Sequence, residues 1–403
     1  MMEKTLRIAV TGYVSEQAGS VASANALLLR GLLERGAEVV FFSKASFVDP
    51  RPAVGAHPRF AFVDVDNRLA DRARARLAHV PVADFLAGLI DSATYNRLLV
   101  RRIREHHVRQ PFDLVLWLGE YARGRVEGVP SVSFAQGPPG TDARSVLQRF
   151  DEISRLAGAR ARRWRWLARL RLSRWGLPPL KMSDHIIIGS EQSRRVLRDM
   201  YGVPAYRIHC LPYPIDLETF HPAERQGRPD LHCVWLGRII PRKRLDVFLD
   251  GSAAAIRRGL DLQLTIVGGV GFVHGYEKLI AAFPYPDRLE WIPSLPREKV
   301  PALLQSQDVL AQPSDEENFG SSVAEAQACG LPVIVGATNG NADYLSARDI
   351  QLKDDRPETF ADALAQIAQN KGGDVRPSRE CAERHFSLSR IADRLMEILK
   401  SVA

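Results

Sequence analysis

The sequence predicts an α/β protein built from two Rossmann-like domains that face each other across a cleft. Three observations lead there. The chain opens with a strand–loop–helix–strand order, the start of a doubly wound parallel sheet. The same alternation restarts after a proline-rich connector, Leu211-Pro-Tyr-Pro-Ile-Asp-Leu-Glu-Thr-Phe-His-Pro222, whose restricted backbone angles suit a semi-rigid hinge. The length of 403 residues and the hydrophobic fraction of 45% exceed one ordinary domain and suffice for two cores. The expected division is an N-terminal domain over 1–205, a second domain over 206–385 and a closing helix over 386–403 that packs back on the first domain.

In order, Arg7-Ile-Ala-Val-Thr-Gly reads as a buried strand. A loop from Tyr13 to Gly19 leads to a helix over Ser20–Arg35, which Gly36 ends before the strand Glu38-Val-Val-Phe-Phe-Ser. Asp113–Leu118, Ser131–Ala135 and Asp184–Ser190 read as later strands, the last followed by a helix over Glu191–Tyr201. Beyond the connector, His232–Gly237, Leu262–Gly269, Glu290–Ile292, Asp308–Gln312 and Pro332–Val335 read as strands. Leu245–Arg258, Phe360–Gln369 and Leu388–Lys400 read as helices. Ligand is expected at the carboxyl ends of the strands, in the cleft.

Composition narrows the class. Cys210, Cys233, Cys329 and Cys381 stand far apart with no Cys-x-x-Cys pair, which suits reduced, packed thiols in a cytosolic protein rather than a disulfide framework or a zinc site. No apolar run approaches a membrane span, and Met-Met-Glu-Lys-Thr-Leu-Arg leads into a short strand without a secretory signal. The net charge is +8, and Arg155–Arg174 alone holds eight arginines and no acidic residue. The charge is therefore a local basic device rather than a general property.

The stretch Pro313–Ile334 carries the strongest chemical signal. Glu317 and Glu325 are separated by seven residues, with a polar loop ending at Gly320 and a helix starting at Ser321 or Ser322. Gly330 stops that helix. A carboxylate delivered to a helix N-terminus suits an anionic, hydroxyl-rich ligand, because the free N–H groups meet the anion and carboxylates accept from hydroxyls. Ser322 and Glu325 also have the spacing of a stabilising capping box. The stretch resembles the Glu-x7-Glu signature of retaining nucleotide-sugar glycosyltransferases, most closely glycosyltransferase family 4 (glycosyl transferases group 1) with the two-domain GT-B architecture. Leu236-Gly-Arg-Ile-Ile-Pro-Arg-Lys-Arg-Leu-Asp resembles that family's Gly-Arg…Lys-Gly segment. Ile208–Pro222 is similar to its linker, and Arg384-His-Phe-Ser to the segment before its last helix.

The resemblance implies roles. Arg238 and Lys243 would grip the donor diphosphate and stabilise it as a leaving group, beside Gly237. Arg242 and Arg244 are expected to be surface charges. Glu325 would accept hydrogen bonds from the ribose, and Glu317 would hold the donor sugar or the positive charge that develops on its ring. Phe319, Gly320 and Ser321 would offer backbone N–H groups. Asp315 and Glu316 read as a polar loop, with Glu316 an alternative to Glu317. Gly19 would bring backbone close to the phosphate from the opposite domain, although Gly19-Ser20 stands where relatives carry Gly-Gly. Gln136 falls near the place where relatives have a His close to the reacting sugar. It can bond a sugar hydroxyl without acting as a base, which suits a mechanism in which the departing phosphate takes the acceptor proton. The linker departs as well, with Tyr213-Pro214 in place of Asn-Gly.

No metal and no cofactor are expected, the nucleotide sugar being the substrate. Asp64-Val-Asp66 and Ile266–Gly271 read as a strand end and a turn rather than as metal or dinucleotide motifs. On one helical wheel Ala157, Ala161, Trp164, Ala168, Leu172 and Trp175 share a stripe flanked by arginines. That pattern suits an anionic membrane surface, a structural helix, or, least well, nucleic acid. The sequence thus predicts a cytoplasmic enzyme, peripheral at the inner membrane face, that transfers a hexose to a lipid-linked or envelope-glycan acceptor, with no nucleic-acid partner. An epimerase or phosphorylase of the same fold and a non-catalytic nucleotide-sugar-binding subunit are the alternatives.

Overall fold

The computed structural model describes residues 5–15, 19–46, 48–66, 81–173, 176–224 and 227–403. Among the described residues, thirteen strands form two parallel sheets. The first contains β1 (Arg7–Gly12), β2 (Glu38–Ser43), β3 (Phe60–Asp64), β4 (Leu114–Gly119), β5 (Ser131–Ala135), β6 (His185–Ile188) and β7 (Ile208–Cys210), in the order β3-β2-β1-β4-β5-β6-β7. The second contains β8 (Leu231–Leu236), β9 (Leu262–Val267), β10 (Leu289–Ile292), β11 (Val309–Gln312), β12 (Val333–Val335) and β13 (Ile350–Gln351), in the order β10-β9-β8-β11-β12-β13.

The near-continuous apolar strands explain the architecture. β4 and β5 are buried along their whole length, as strands covered by helices on both faces must be. Their order reverses beside β1 in the first sheet and beside β8 in the second, and each reversal opens a crevice at the strand ends. β7 pairs with β6 (Ile186 with Ile208), so the first sheet runs past residue 205, the boundary read from the sequence. β3, β7, β13 and the helix Pro81–Arg109 were not apparent in the sequence pattern. Asp64 closes β3 and accepts a hydrogen bond from the Ala45 N–H at 2.9 Å.

Two segments cross between the domains. Helix Leu388–Val402 lies on helix Gly19–Glu34 of the first domain: a Cβ on Gly31 would meet Ala392 at 2.7 Å, and Arg35 pairs with Asp393 at 2.6 Å. In the other direction, Ala143, Val146, Ile153, Ala161 and Ala168 join the second domain's core with Trp235, Phe248 and Ile266. Gly158, at φ 59°, breaks this stretch into helices Phe150–Ala157 and Ala161–Arg171. The described members of the stripe face protein, with Trp164 meeting Phe272 edge-on at 6.2 Å and Leu172 packing on the same core, while Trp175 lies outside the described residues. Arg155, Arg160, Arg162, Arg163, Arg169 and Arg171 are exposed instead, together with Trp166 at 62% and Leu170 at 40%, whereas Arg165 lies over the Phe150 ring at 4.3 Å. Among the described residues no helix is long and apolar enough to cross a membrane.

Candidate functional site

The site begins where β8 ends. The Gly237 N–H donates to the Val267 carbonyl at 2.9 Å. Gly268, at φ 142°, lies so close that a Cβ there would reach the Gly237 oxygen at 1.8 Å. The two loops can touch only because position 268 is glycine. Arg238 then projects into the cleft, exposed and without an ion pair among the described residues. The turn Pro241–Lys243 follows, and Arg244 takes a left-handed conformation at φ 51° before helix Leu245–Arg257 starts.

The turn meets the loop after β11. Lys243 Nζ donates to Glu317 Oε2 at 2.5 Å, and Arg242 Nη1 donates to the same oxygen at 2.9 Å. Arg242 Nε also donates to Asp142 Oδ1 of the first domain at 2.6 Å. Burial opposes ionisation of Glu317, but Arg242 and Lys243 overcome it and hold its carboxyl at about 2. At Lys243 burial prevails and lowers the pKa, because the guanidinium groups of Arg242 and Arg238 face the ammonium and oppose the pull of Glu317. Arg242 and Arg244 are not the surface charges expected. Arg242 is clamped between Glu317 and Asp142, and Arg244, 4% exposed, joins Asp246, Asp315 and Asp355.

Neighbouring carboxylates link the domains. Arg144 reaches Glu316 at 2.5 Å and Arg149 reaches Asp315 at 2.5 Å. Glu316 holds φ 44°, an uncommon backbone for a side chain of its size, with its N–H bonded to Thr338 Oγ1 at 3.1 Å. The loop then descends into protein. Asn318 Oδ1 accepts from the Gly189 N–H at 3.0 Å, and Phe319 packs against Tyr213 and Phe386 at 5.9 and 5.3 Å. The Gly320 N–H donates to Asn341 Oδ1 at 2.5 Å, so this group is turned away from the cleft, and a Cβ on Gly320 would meet Gln312 Oε1 at 2.4 Å. Ser321 starts helix Ser321–Ala328. Ser322 accepts from Gln312 Nε2 at 2.7 Å and does not cap that helix; Glu325 instead pairs with Arg297 at 2.5 Å. The Arg297 guanidinium also lies 4.8 Å over the Phe220 ring.

The anticipated residues divide between two interdomain cavities. A cavity of about 380 Å³ brings together Gln136, Arg238 and Glu317, with Asp142, Arg171 and Arg242 also on its walls. A second, about 780 Å³, is lined by Glu325, Arg297, Asp216 and the first turn of helix Gly19–Glu34 at Ser20 and Ser23. Gly19 is exposed beside that turn at φ 72°. Lys243 is nearly buried under Glu317, and the Phe319 ring lies in the core. Sequence reading missed Arg242, Asp142, Arg144 and Arg297. The only local signal was the basic turn itself, since each partner lies on a distant segment.

Two parallel-sheet domains, with a cluster of fixed cations and carboxylates at the strand ends between them, define the GT-B class of glycosyltransferase architecture. The family model for glycosyl transferases group 1 matches residues 219–384, and that for glycosyltransferase family 4 matches residues 21–219. The chain belongs to the family 4 glycosyltransferases. It is 31% identical over 204 residues to a GDP-mannose-dependent alpha-(1-6)-phosphatidylinositol dimannoside mannosyltransferase of Mycobacterium tuberculosis, covering 48% of this chain and 52% of that protein. It is 26% identical over 240 residues to a D-inositol 3-phosphate glycosyltransferase of Rhodococcus erythropolis, covering 55% and 54%. The chain thus spans about half the length of these curated relatives. Its fold resembles that of a Rickettsia africae glycosyltransferase, with a TM-score of 0.66, 12% identity and 99% of both chains covered. It also resembles HepE of Anabaena, solved with UDP and glucose, with a TM-score of 0.63, 14% identity and 98% and 99% covered.

Proposed function

We propose that this protein is a retaining hexosyltransferase that moves a sugar from a nucleoside diphosphate donor to a lipid-linked or envelope-glycan acceptor. The observation that carries the reading is Arg238 at the end of β8, without an ion pair among the described residues, one turn from Lys243 and facing the first domain across a cavity. As the sugar–phosphate bond breaks, negative charge grows on the diphosphate. Fixed cations placed there in advance stabilise it without reorganisation. Glu317 neutralises Lys243 in this structure; donor phosphate takes its place, and the carboxylate turns to the donor sugar. Glu325 accepts from the ribose hydroxyls, and Gly19 approaches the phosphate from the opposite domain. The acceptor hydroxyl attacks from the face that the diphosphate leaves. Its proton passes to a diphosphate oxygen, the new glycosidic bond forms and the anomeric configuration is retained. Gln136 bonds a sugar hydroxyl in the same cavity.

The reading places the enzyme in the cytoplasm, held peripherally at the inner face of the membrane. Arg162, Arg163, Trp166, Arg169 and Leu170 share the outward face of helix Ala161–Arg171. Cations around an exposed tryptophan suit an anionic lipid surface, each contributing about 1 kcal/mol. Flotation with anionic vesicles tests this: salt-sensitive association that Trp166→Ala weakens supports it, and no association at any salt removes it. The catalytic reading is tested by Arg238→Ala and Lys243→Ala, each of which should lower turnover of nucleotide sugar about 100-fold or more. Unchanged turnover in both overturns the leaving-group site.

A further inference from the structure

Glu317 Oε2 has two cationic donors where one would neutralise it. Lys243 Nζ lies at 2.5 Å and Arg242 Nη1 at 2.9 Å. The two cations differ in their surroundings. The Lys243 stem runs along Gly237, where a Cβ would meet its Cε at 3.6 Å and its Nζ at 3.9 Å, so the ammonium sits at the end of β8. Arg242 turns to the first domain instead, and its Nε donates to Asp142 Oδ1 at 2.6 Å. Arg242, Glu317 and Asp142 line the cavity that holds Arg238, whereas Lys243 lies beneath Glu317. The backbone joins the same two segments: the Asp315 N–H donates to the Arg242 carbonyl at 2.8 Å. A guanidinium serves both carboxylates from one rigid fork, which the point charge of an ammonium cannot do.

Resting on the transferase reading above, in which donor phosphate takes Lys243 from Glu317, we infer that Arg242 is the positioning residue of Glu317: it stays on Oε2 after Lys243 has changed partners and keeps the carboxylate ionised in the cavity wall. The need follows from burial. The Glu317 side chain is 8% exposed, and a buried carboxylate stripped of its last cation either protonates or leaves its place. The other charged groups nearby do not fill this role. Arg238 faces the diphosphate, Arg144 is held by Glu316, and Arg149 by Asp315. Asp142 fixes the far side of the guanidinium from the first domain, so the aim of Glu317 depends on contact between the domains.

The test is a double-mutant cycle on the full chain, read first in binding. Calorimetric titration uses UDP and GDP. Glu317→Gln should tighten binding of the nucleotide that binds, since Lys243 has then lost its internal partner. Arg242→Gln should weaken it about 10-fold, and the same change made on Glu317→Gln should alter it about 2-fold or less, because Arg242 acts through the carboxylate. Equal weakening in both backgrounds makes Arg242 a ligand of the diphosphate, and no weakening in either makes it dispensable; each overturns the inference. Turnover is read next, as release of nucleoside diphosphate from the matching sugar donor. Arg242→Gln should lower kcat about 10-fold or more and move the acid limb of its pH profile up by about one unit, because a carboxylate with one cation fewer protonates at higher pH. Arg242→Lys should recover part of kcat, since its ammonium serves Glu317 without Asp142. A lowered kcat with the acid limb unmoved gives Arg242 a structural role alone and overturns the inference. Should Arg242→Gln fail to fold, Arg242→Met, which keeps the apolar stem, carries the same cycle. Nucleotide binding that couples Arg242 to Glu317 without any release from sugar donors leaves the positioning role standing and removes the transferase reading. No binding of either nucleotide overturns both.

Discussion

The two segments that cross between the domains both bury apolar side chains, and they differ in the polar contacts that accompany that burial. Helix Leu388–Val402 crosses back on apolar contacts, with Ile391, Ala392, Leu395, Ile398 and Leu399 buried and one peripheral pair, Arg35 with Asp393. The stretch 141–171 crosses forward at the cleft, where Asp142, Arg144 and Arg149 meet Arg242, Glu316 and Asp315. Apolar burial is insensitive to pH and salt and gives way only with unfolding. Partly exposed ion pairs are weak and exchangeable. The contrast puts an almost wholly apolar joint on the far side of the molecule and, on the substrate side, adds an ion-pair latch to the buried Ala143, Val146 and Ile153.

The largest effect should come from the apolar crossing. Leu395 is fully buried, so Leu395→Ala should cost about 2–5 kcal/mol of stability through lost transfer energy and the cavity left behind. Denaturant unfolding should show this as a lower midpoint. A variant as stable as the wild type would show that this helix is not the joint. Glu317 comes next. Its carboxyl is held at about 2, below the ordinary glutamate value of 4.5. That depression corresponds to about 3 kcal/mol, present above pH 4.5 and lost as pH falls through about 2. Glu317→Gln should lower the melting temperature at pH 7, and the gap from wild type should narrow below pH 4.5. A pH-independent gap would mean that shape rather than charge holds the turn.

Legibility in the sequence follows the same contrast. The apolar strands β1, β2 and β5 stood out with nearly their observed limits, because a covered parallel strand has a run that no loop shares. β3 did not, although Phe60–Val63 is apolar, since that short run lies half-exposed at the sheet edge. The Glu317–Glu325 spacing was legible because loop, helix start and glycine stop are local features. The fates of Arg242 and Arg244 were not, because Asp142 and Asp355 lie 100 and 111 residues away in the chain. The basic stretch misled for a related reason. A helical wheel gives the stripe but not what it meets: the alanine and Trp164 face packs on the other domain, while Trp166 is left outside.

A smaller effect should come from Asp142→Asn, which opens the latch at one pair. Arg242 keeps Glu317, and the side chains of Arg242 and Asp142 are 14% and 31% exposed, so the expected cost is about 1 kcal/mol or less. The informative readout is shape. Small-angle scattering of the ligand-free variant should show a larger radius of gyration than the wild type, with the difference removed by nucleoside diphosphate. An unchanged radius would place the latch elsewhere, at Gly189–Asn318.

The smallest effect concerns the pH dependence of the forward crossing itself. Glu152 lies on helix Phe150–Ala157, and burial, reinforced by Asp246, pushes its carboxyl up to about 7 despite Tyr276, Arg149 and Arg244. A raised acid favours the folded state while it is protonated. Its contribution is complete below pH 4.5, declines as pH rises towards about 7 and is gone above that. The sign is opposite to that of Glu317, so the two carboxyls bracket the optimum of the same interface from either side. Glu152→Gln removes the charge without removing the shape. It should match wild type in melting temperature near pH 4.5 and exceed it modestly at pH 8, with partial exposure keeping the gain small. If the variant is instead less stable at pH 8, the ionised carboxylate is bound by Arg149 or Arg244 more strongly than burial opposes it, and the forward crossing is a stronger joint than its partly exposed ion pairs indicate.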